Sequence, residues 1–292
     1  MATVNIHIYE DLVSIFRKEI EEIGYSTAAI TDSHDLMTMY FTLRKRLISK
    51  RPRKVLYADD FTCPADLQTG SDLLAQKFEA GQDVNPHLSR TMEKMEFPDL
   101  MLFDWGIHHF HLGTQLEADG YMSRTGNILY AYVSNDEVRF VKILPHNHWS
   151  DLELIETIHR NWPETISMYK VDGTPEKIFN SDEIATLRKA HINCMISTSD
   201  GTSYLGMGMG MMLNGSSAIA SQEAIHKIHE SERIQKQIIK ELNDLERILG
   251  RHDMIFNIEV VREPGGIYAV DKANCVRGIL YDFDSIKNVC SL

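Results

Sequence analysis

The chain has 292 residues, 43% of them hydrophobic, enough to furnish a core for one large or two ordinary domains and too many for a disordered protein. Its 30 basic and 42 acidic residues leave a net charge of -12, which argues against a generally adhesive nucleic-acid or membrane binder. Cys63, Cys194, Cys275 and Cys290 are scattered without a CxxC pair, so a disulfide framework or cysteine zinc site is not expected. With no signal-peptide layout in MATVNIHIYEDLVSIF and no apolar run near roughly 18 residues, the composition describes a soluble cytoplasmic protein with no membrane partner.

In chain order, a short strand at 4–8 precedes a helix at 10–23, where Leu12, Ile15, Phe16, Ile20 and Ile23 recur at helical spacing and Gly24 gives the stop. A second helix over 32–49 carries Leu36, Met39, Tyr40, Leu43 and Leu47 on one stripe, with Thr31 or Asp32 as cap. Its end merges into Arg44, Lys45, Arg46, Lys50, Arg51, Arg53 and Lys54, a local cationic field that reads either as an RNA phosphate contact or as a solvated helix end. A buried strand at 54–58, a loop, and helices at 71–79 and 86–95 follow.

Residues 104–151 hold five of the thirteen histidines and read as three strands. These are 107–112, 127–133 and 138–144, the last two joined by Ser134-Asn135-Asp136. Alternation along extended strands pairs His109 with His111 and His146 with His148. A turn that sets Val133 opposite Val138 carries Thr125 to the level of His146, so one sheet end collects His111, Arg124, His146 and His148.

A helix at 151–161 capped by Ser150 comes next, and a faint boundary lies at 162–167. Beyond it the pattern gives a helix at 181–190, then strands at 191–198 and 203–213 around the hairpin signal Asp200-Gly201. The GMGMGMM run at 206–212 lacks the spacing of a phosphate loop and reads as a strand in close backbone contact with a neighbour. A long helix over 221–249, striped by Ile225, Ile228, Ile234, Ile238, Leu242, Leu245 and Leu249, leads to a strand pair at 254–262 and 267–270 and an ordinary tail.

The four histidines suit two chemistries. Two HxH pairs could ligate zinc through His109, His111, His146 and His148, with Asp104 or Asp151 in support. Without a cofactor, His111 and His146 could share acid and base work on an RNA phosphodiester while Arg124 holds the phosphate and His109 and His148 assist. Trp149 beside His148 is either a core anchor or a base-stacking platform.

Residues 71–163, with SRTGNILYAYVSNDEVRFVKILPHNHWSD as their central hairpin, resemble the RelE/ParE-type toxins of the barnase, EndoU, colicin and RelE ribonuclease group. The shared pattern is an arginine (Arg124), a strand, a short turn, and a strand ending at an active-site residue (His146). The chain departs from that family in its length, its acidity and the HHFH run on the preceding strand. The resemblance implies a ribonuclease, a toxin or defence protein, with RNA and a protein inhibitor or a second copy as partners.

The expected fold is therefore α+β, with an N-terminal helical and basic region (1–70), a helix-meander core (71–165) and a glycine-bearing sheet with the long helix (166–292). The leading functional expectation is a metal-independent ribonuclease. A zinc-dependent hydrolase and a non-enzymatic binding or assembly protein are the alternatives.

Overall fold

In the computed structural model, which describes residues 2–173 and 175–282, the chain is α+β. Cys290 lies outside the described residues. Contacts divide the chain into two compact units: one spans Lys45–Ile219, and the other joins Met1–Arg44 to Ala220–Leu292.

The chain enters through β1 (Thr3–Ile6) and α1 (Ile8–Ile23), whose buried Ile8, Leu12, Phe16 and Ile20 repeat every fourth residue. Gly24 ends α1 at φ 110, its N–H closing on the carbonyls of Ile20 and Glu21. Asp32 starts α2 (Ser33–Arg46) by accepting the Asp35 N–H at 2.9 Å. The rings of Phe16 and Tyr40 stack at 4.1 Å between these helices.

The Lys45–Ile219 unit is built on β2 (Lys54–Tyr57), α3 (Gln68–Glu79), α4 (Leu100–Trp105), β3 (Ile107–His111), β4 (Asn127–Val133) and β5 (Glu137–Pro145). Its sheet has the order β2-β5-β4-β3; β2 runs parallel to β5 and the other neighbours are antiparallel. The meander forms as expected, with Val133 opposite Val138. A bulge between Tyr130 and Ala131 then moves the register by one, so the His146 N–H meets the carbonyl of Gly126, at 3.1 Å, one residue past Thr125.

Alternation gives the sheet two apolar faces. Phe110, Leu129, Ala131, Val138 and Phe140 pack with Leu74 and Phe78 of α3. Ile107, Ile128, Tyr130 and Val141 pack with Leu154, Ile155 and Ile158 of α5 (Glu153–Asn161). This second core continues through Trp162 and Ile166 of α6 (Pro163–Ile166), then Tyr169, Ile184, Cys194, Ile196 and Tyr204. It therefore runs without a break across residues 162–167. The outer elements are β6 (Lys170–Val171), α7 (Ser181–Lys189), β7 (Ile196–Ser197) and β8 (Ser203–Tyr204), with a capping box at Asn180 and Glu183 opening α7.

Three local expectations are corrected. Residues 86–95 form two 3-10 turns, Asn85–His87 and Arg90–Glu93, because the carbonyls of Thr91, Lys94 and Met95 turn to the Arg46 guanidinium instead of a helical ladder. Ser150 does not cap α5; its Oγ accepts from Arg188 at 3.0 Å, and Asp151 accepts the Glu153 N–H instead. The run after Tyr204 is a loop, with Gly206, Met209 and Gly210 at positive φ. It caps α4: the N–H groups of Gly208 and Gly210 donate to the carbonyls of Asp104 and Phe103, each at 2.8 Å. A Cβ on Gly208 would collide with the Leu102 and Phe103 carbonyls, so the expected close approach is real although the strand is not.

The chain continues through α8 (Ala218–Ile248), β9 (Ile255–Glu263), β10 (Gly266–Asp271) and β11 (Val276–Asp282). β1 pairs parallel with β9, giving the order β1-β9-β10-β11, so the expected tail contains a strand. The buried seam of α8 is Ala220, Ser221, Ala224, Lys227, Ser231, Leu242 and Glu246, while Ile225 of the expected stripe is 47% exposed.

Candidate functional site: a histidine cluster at the sheet end

Alternation along β3 puts His109 and His111 on the face of Ile128 and Tyr130, and His108 beside Phe110 on the other. His108 stacks on Phe110 and is buried, which pushes its pKa down to about 4. It is a core residue. At the end of β5, Asn147 takes φ 77, and the alternation expected of His146 and His148 no longer applies. His146 turns to His111, with ring centroids 5.0 Å apart, whereas His148 is 42% exposed and bonds Asp151 at 3.0 Å.

The nitrogens of the inner rings are incompletely satisfied. His111 Nδ1 accepts the Thr125 N–H at 3.3 Å, but His111 Nε2, His146 Nε2 and His109 Nδ1 are buried without a hydrogen-bond partner among the described residues. Burial is the largest cause of the low pKa of all three rings, and Arg124 lowers each further. His111 falls to about 3, with His146 adding to the effect. All three are therefore neutral at pH 7, beside an exposed Arg124 whose charge reaches each of them.

Two residues that the sequence did not single out hold this arrangement. His87 is wholly buried, and its Nδ1 bonds the His111 carbonyl at 2.8 Å, pinning the end of β3. Arg188 pairs with Asp104 at 2.8 Å, both 4% exposed, lies over the Trp105 ring, and donates to the Trp149 carbonyl. Burial pushes the Asp104 carboxyl up against the opposing pull of Arg188. The result fixes Trp149, whose ring meets those of His109 at 4.7 Å, His146 at 5.7 Å and Tyr130 at 5.9 Å. Nothing local in the sequence marks either residue; each acts through a partner distant along the chain.

The basic run is arranged differently. Arg46 is 1% exposed and bonds three carbonyls; Arg53 is also buried, bonding Ser49, Arg51 and Ser134, with its pKa lowered to about 10 by burial. Lys45 donates to the Gly208 carbonyl, Lys50 pairs with Asp83 at 3.0 Å and Arg51 with Asp136 at 2.6 Å. Arg44 and Lys54 are exposed. Arg46 and Arg53 are thus withdrawn from any phosphate-facing surface, because their guanidinium groups satisfy internal carbonyls.

Among the described residues, the group bringing three metal-donor atoms within 4.8 Å of one another is Asp32, His34 and Asp35, which serve the start of α2. The expected set of His109, His111, His146 and His148 does not converge in this way, since His148 is turned to Asp151. A cavity of 280 Å³ is lined by Lys170, Asp172, Asp200 and Ser203 and lies away from the four histidines.

No family model, no curated protein and no solved structure matches the chain. What the protein does is therefore read from the chemistry of its own residues.

Proposed function

We propose that the protein is a metal-independent ribonuclease acting at His111 and His146, with Arg124 as the phosphate clamp. The observation that carries this reading is the set of three buried, unpartnered imidazole nitrogens beside an exposed guanidinium. Each such atom costs about 1–3 kcal/mol, a cost that a hydrogen-bonding ligand would relieve. An imidazole that is neutral at pH 7 can accept the proton of a 2′-hydroxyl. The 2′-oxygen then forms a bond to phosphorus, the bond to the 5′-oxygen breaks, and that oxygen takes up the proton from the imidazolium through solvent. The products are a 2′,3′-cyclic phosphate and a 5′-hydroxyl. Bound phosphate also offsets the Arg124 charge that depresses both rings.

A toxin or defence role, with a protein inhibitor or a second copy as partner, extends the RelE/ParE resemblance, and Trp149 and His109 would form the wall against the bound nucleotide. Purified protein in EDTA should cleave RNA, alone or on ribosomes, leaving cyclic phosphate ends. Substrates with 2′-deoxy nucleotides should resist, and His146→Ala should lose activity by about 10³-fold. Folded protein that leaves RNA intact would refute the reading, and activity that EDTA abolishes would favour the zinc hydrolase instead.

A further inference from the structure

His148 is bonded unlike the other histidines of the sheet end. Its Nδ1 lies 3.0 Å from Asp151 Oδ2. An ionised carboxylate only accepts hydrogen bonds, so the neutral ring carries its proton on Nδ1 and leaves Nε2 as a bare lone pair. That Nε2 has no hydrogen-bond partner among the described residues, on a side chain that is 42% exposed. The unpartnered nitrogens of His109, His111 and His146 are buried, so His148 is the ring of this group that opens on solvent.

Asp151 holds that ring in place. One oxygen, Oδ1, accepts the Glu153 N–H at 3.0 Å and starts α5, while the other faces His148. The Asp151 N–H meets the His148 carbonyl at 3.3 Å, closing the turn between them. Arg188 bonds the Trp149 carbonyl and Ser150 Oγ within the same turn, and the Gly126 carbonyl holds the His146 N–H. His148 is thus fixed two residues from His146 and next to Trp149, whose ring meets that of His146 at 5.7 Å.

We infer that His148, oriented by Asp151, is the general acid of the site: as an imidazolium it gives its Nε2 proton to the departing 5′-oxygen. This rests on the ribonuclease reading for its substrate, but the pairing of His148 with Asp151 belongs to the free protein. In the reaction, an inner imidazole takes the 2′-hydroxyl proton, the 2′-oxygen bonds to phosphorus, and the bond to the 5′-oxygen breaks. That oxygen takes the proton from His148, while the Asp151 carboxylate faces the charge the ring carries before the transfer. Afterwards the inner imidazole returns its proton to solvent and His148 takes one up, so solvent closes the cycle. His148 touches the leaving oxygen; Asp151 is a positioning residue.

A leaving group that needs no proton separates this role from a structural one. The 5′-oxygen of RNA must be protonated as it departs, whereas 4-nitrophenolate leaves as the anion. His148→Ala should cut RNA cleavage by about 10²-fold or more, and cleavage of ribonucleoside 3′-(4-nitrophenyl phosphates), offered with each base, by no more than about threefold. Asp151→Asn tests the orientation. Its Oδ1 still accepts the Glu153 N–H, so its NH2 group turns to His148 Nδ1 and the proton of the neutral ring moves to Nε2. Nitrogen-15 NMR of histidine-labelled protein should show neutral His148 protonated on Nδ1 in the parent and on Nε2 in Asp151→Asn, with the same selective loss on RNA. A parent His148 protonated on Nε2, or a tautomer unmoved by Asp151→Asn, would overturn the pairing. Equal losses on the two substrates, or RNA cleavage undiminished by His148→Ala, would overturn the acid role alone. A parent that holds the Nδ1 tautomer but cleaves neither substrate would overturn the ribonuclease reading, and the acid role with it.

Discussion

The basic run and the histidine cluster are the two chemically conspicuous stretches of this chain, and they end in opposite conditions. Arg46 and Arg53 have turned inward and spent their donors on backbone carbonyls, so positive charge there holds loops together. The histidines have the reverse arrangement: His109, His111 and His146 each keep a buried nitrogen without a hydrogen-bond partner among the described residues. A cluster of one residue type is thus no guide by itself. What sets the histidine cluster apart is unspent bonding capacity next to the exposed Arg124.

The sharpest way to break this comparison is Arg46→Ala. Removing this buried side chain leaves a cavity worth about 2–5 kcal/mol and takes a hydrogen bond from the carbonyls of Thr91, Lys94 and Met95; the first two keep the N–H groups of Lys94 and Phe97, so the Met95 carbonyl adds a further cost of about 1–3 kcal/mol. Urea unfolding should show a destabilisation of at least about 3 kcal/mol. A variant that unfolds at the wild-type midpoint yet binds RNA poorly would return Arg46 to the phosphate surface.

Next in size is an acid window. His87 and His108 titrate near 4 when folded against an ordinary 6.5, both because of burial. The unfolded chain therefore takes up their protons first as pH falls, so their contribution is complete above about 6.5 and is lost towards 4. The gap from 6.5 to about 4, at about 1.4 kcal/mol per pH unit, is worth about 3 kcal/mol for each ring. His108→Phe, which keeps the stack on Phe110, should flatten the fall in stability between pH 6.5 and 5. An unchanged slope would show that His108 is not the group being protonated.

The smallest effect belongs to the outer cations. Lys50 and Arg51 pair with Asp83 and Asp136 at a largely exposed surface, where such pairs contribute about 0–1 kcal/mol. Thermal melts of Lys50→Ala and Arg51→Ala should stay within a few degrees of the parent. A large drop in either would place them with Arg46 as part of the core.

Local periodicity made much of the fold legible: the stripe of α1, the Asp200-Gly201 hairpin, and a meander whose turn sets Val133 opposite Val138. What it could not carry were contacts set by distant chain. The bulge at Tyr130 and Ala131 moves His146 by one residue without a mark in the sequence. The parallel pairing of β1 with β9 joins Asn5 to Asn257, far beyond any pattern window. Glycine alternation at 206–210 imitates a strand, although the glycines serve close approach to the end of α4. At the site, His109 and His111 were readable from alternation, and His146 from the hairpin. The roles of Thr125, His87 and Arg188 depend on backbone groups that only the folded chain brings to them.

The most direct trial of the contrast is a side-by-side measurement of RNA cleavage by folded His146→Ala and by the Lys50→Ala, Arg51→Ala double variant, in EDTA. The histidine site should account for the chemistry, so the first should lose about 10³-fold and the second should stay within about twofold of the parent. If the double variant is inactive while His146→Ala cleaves normally, the unspent imidazoles are not the catalytic site.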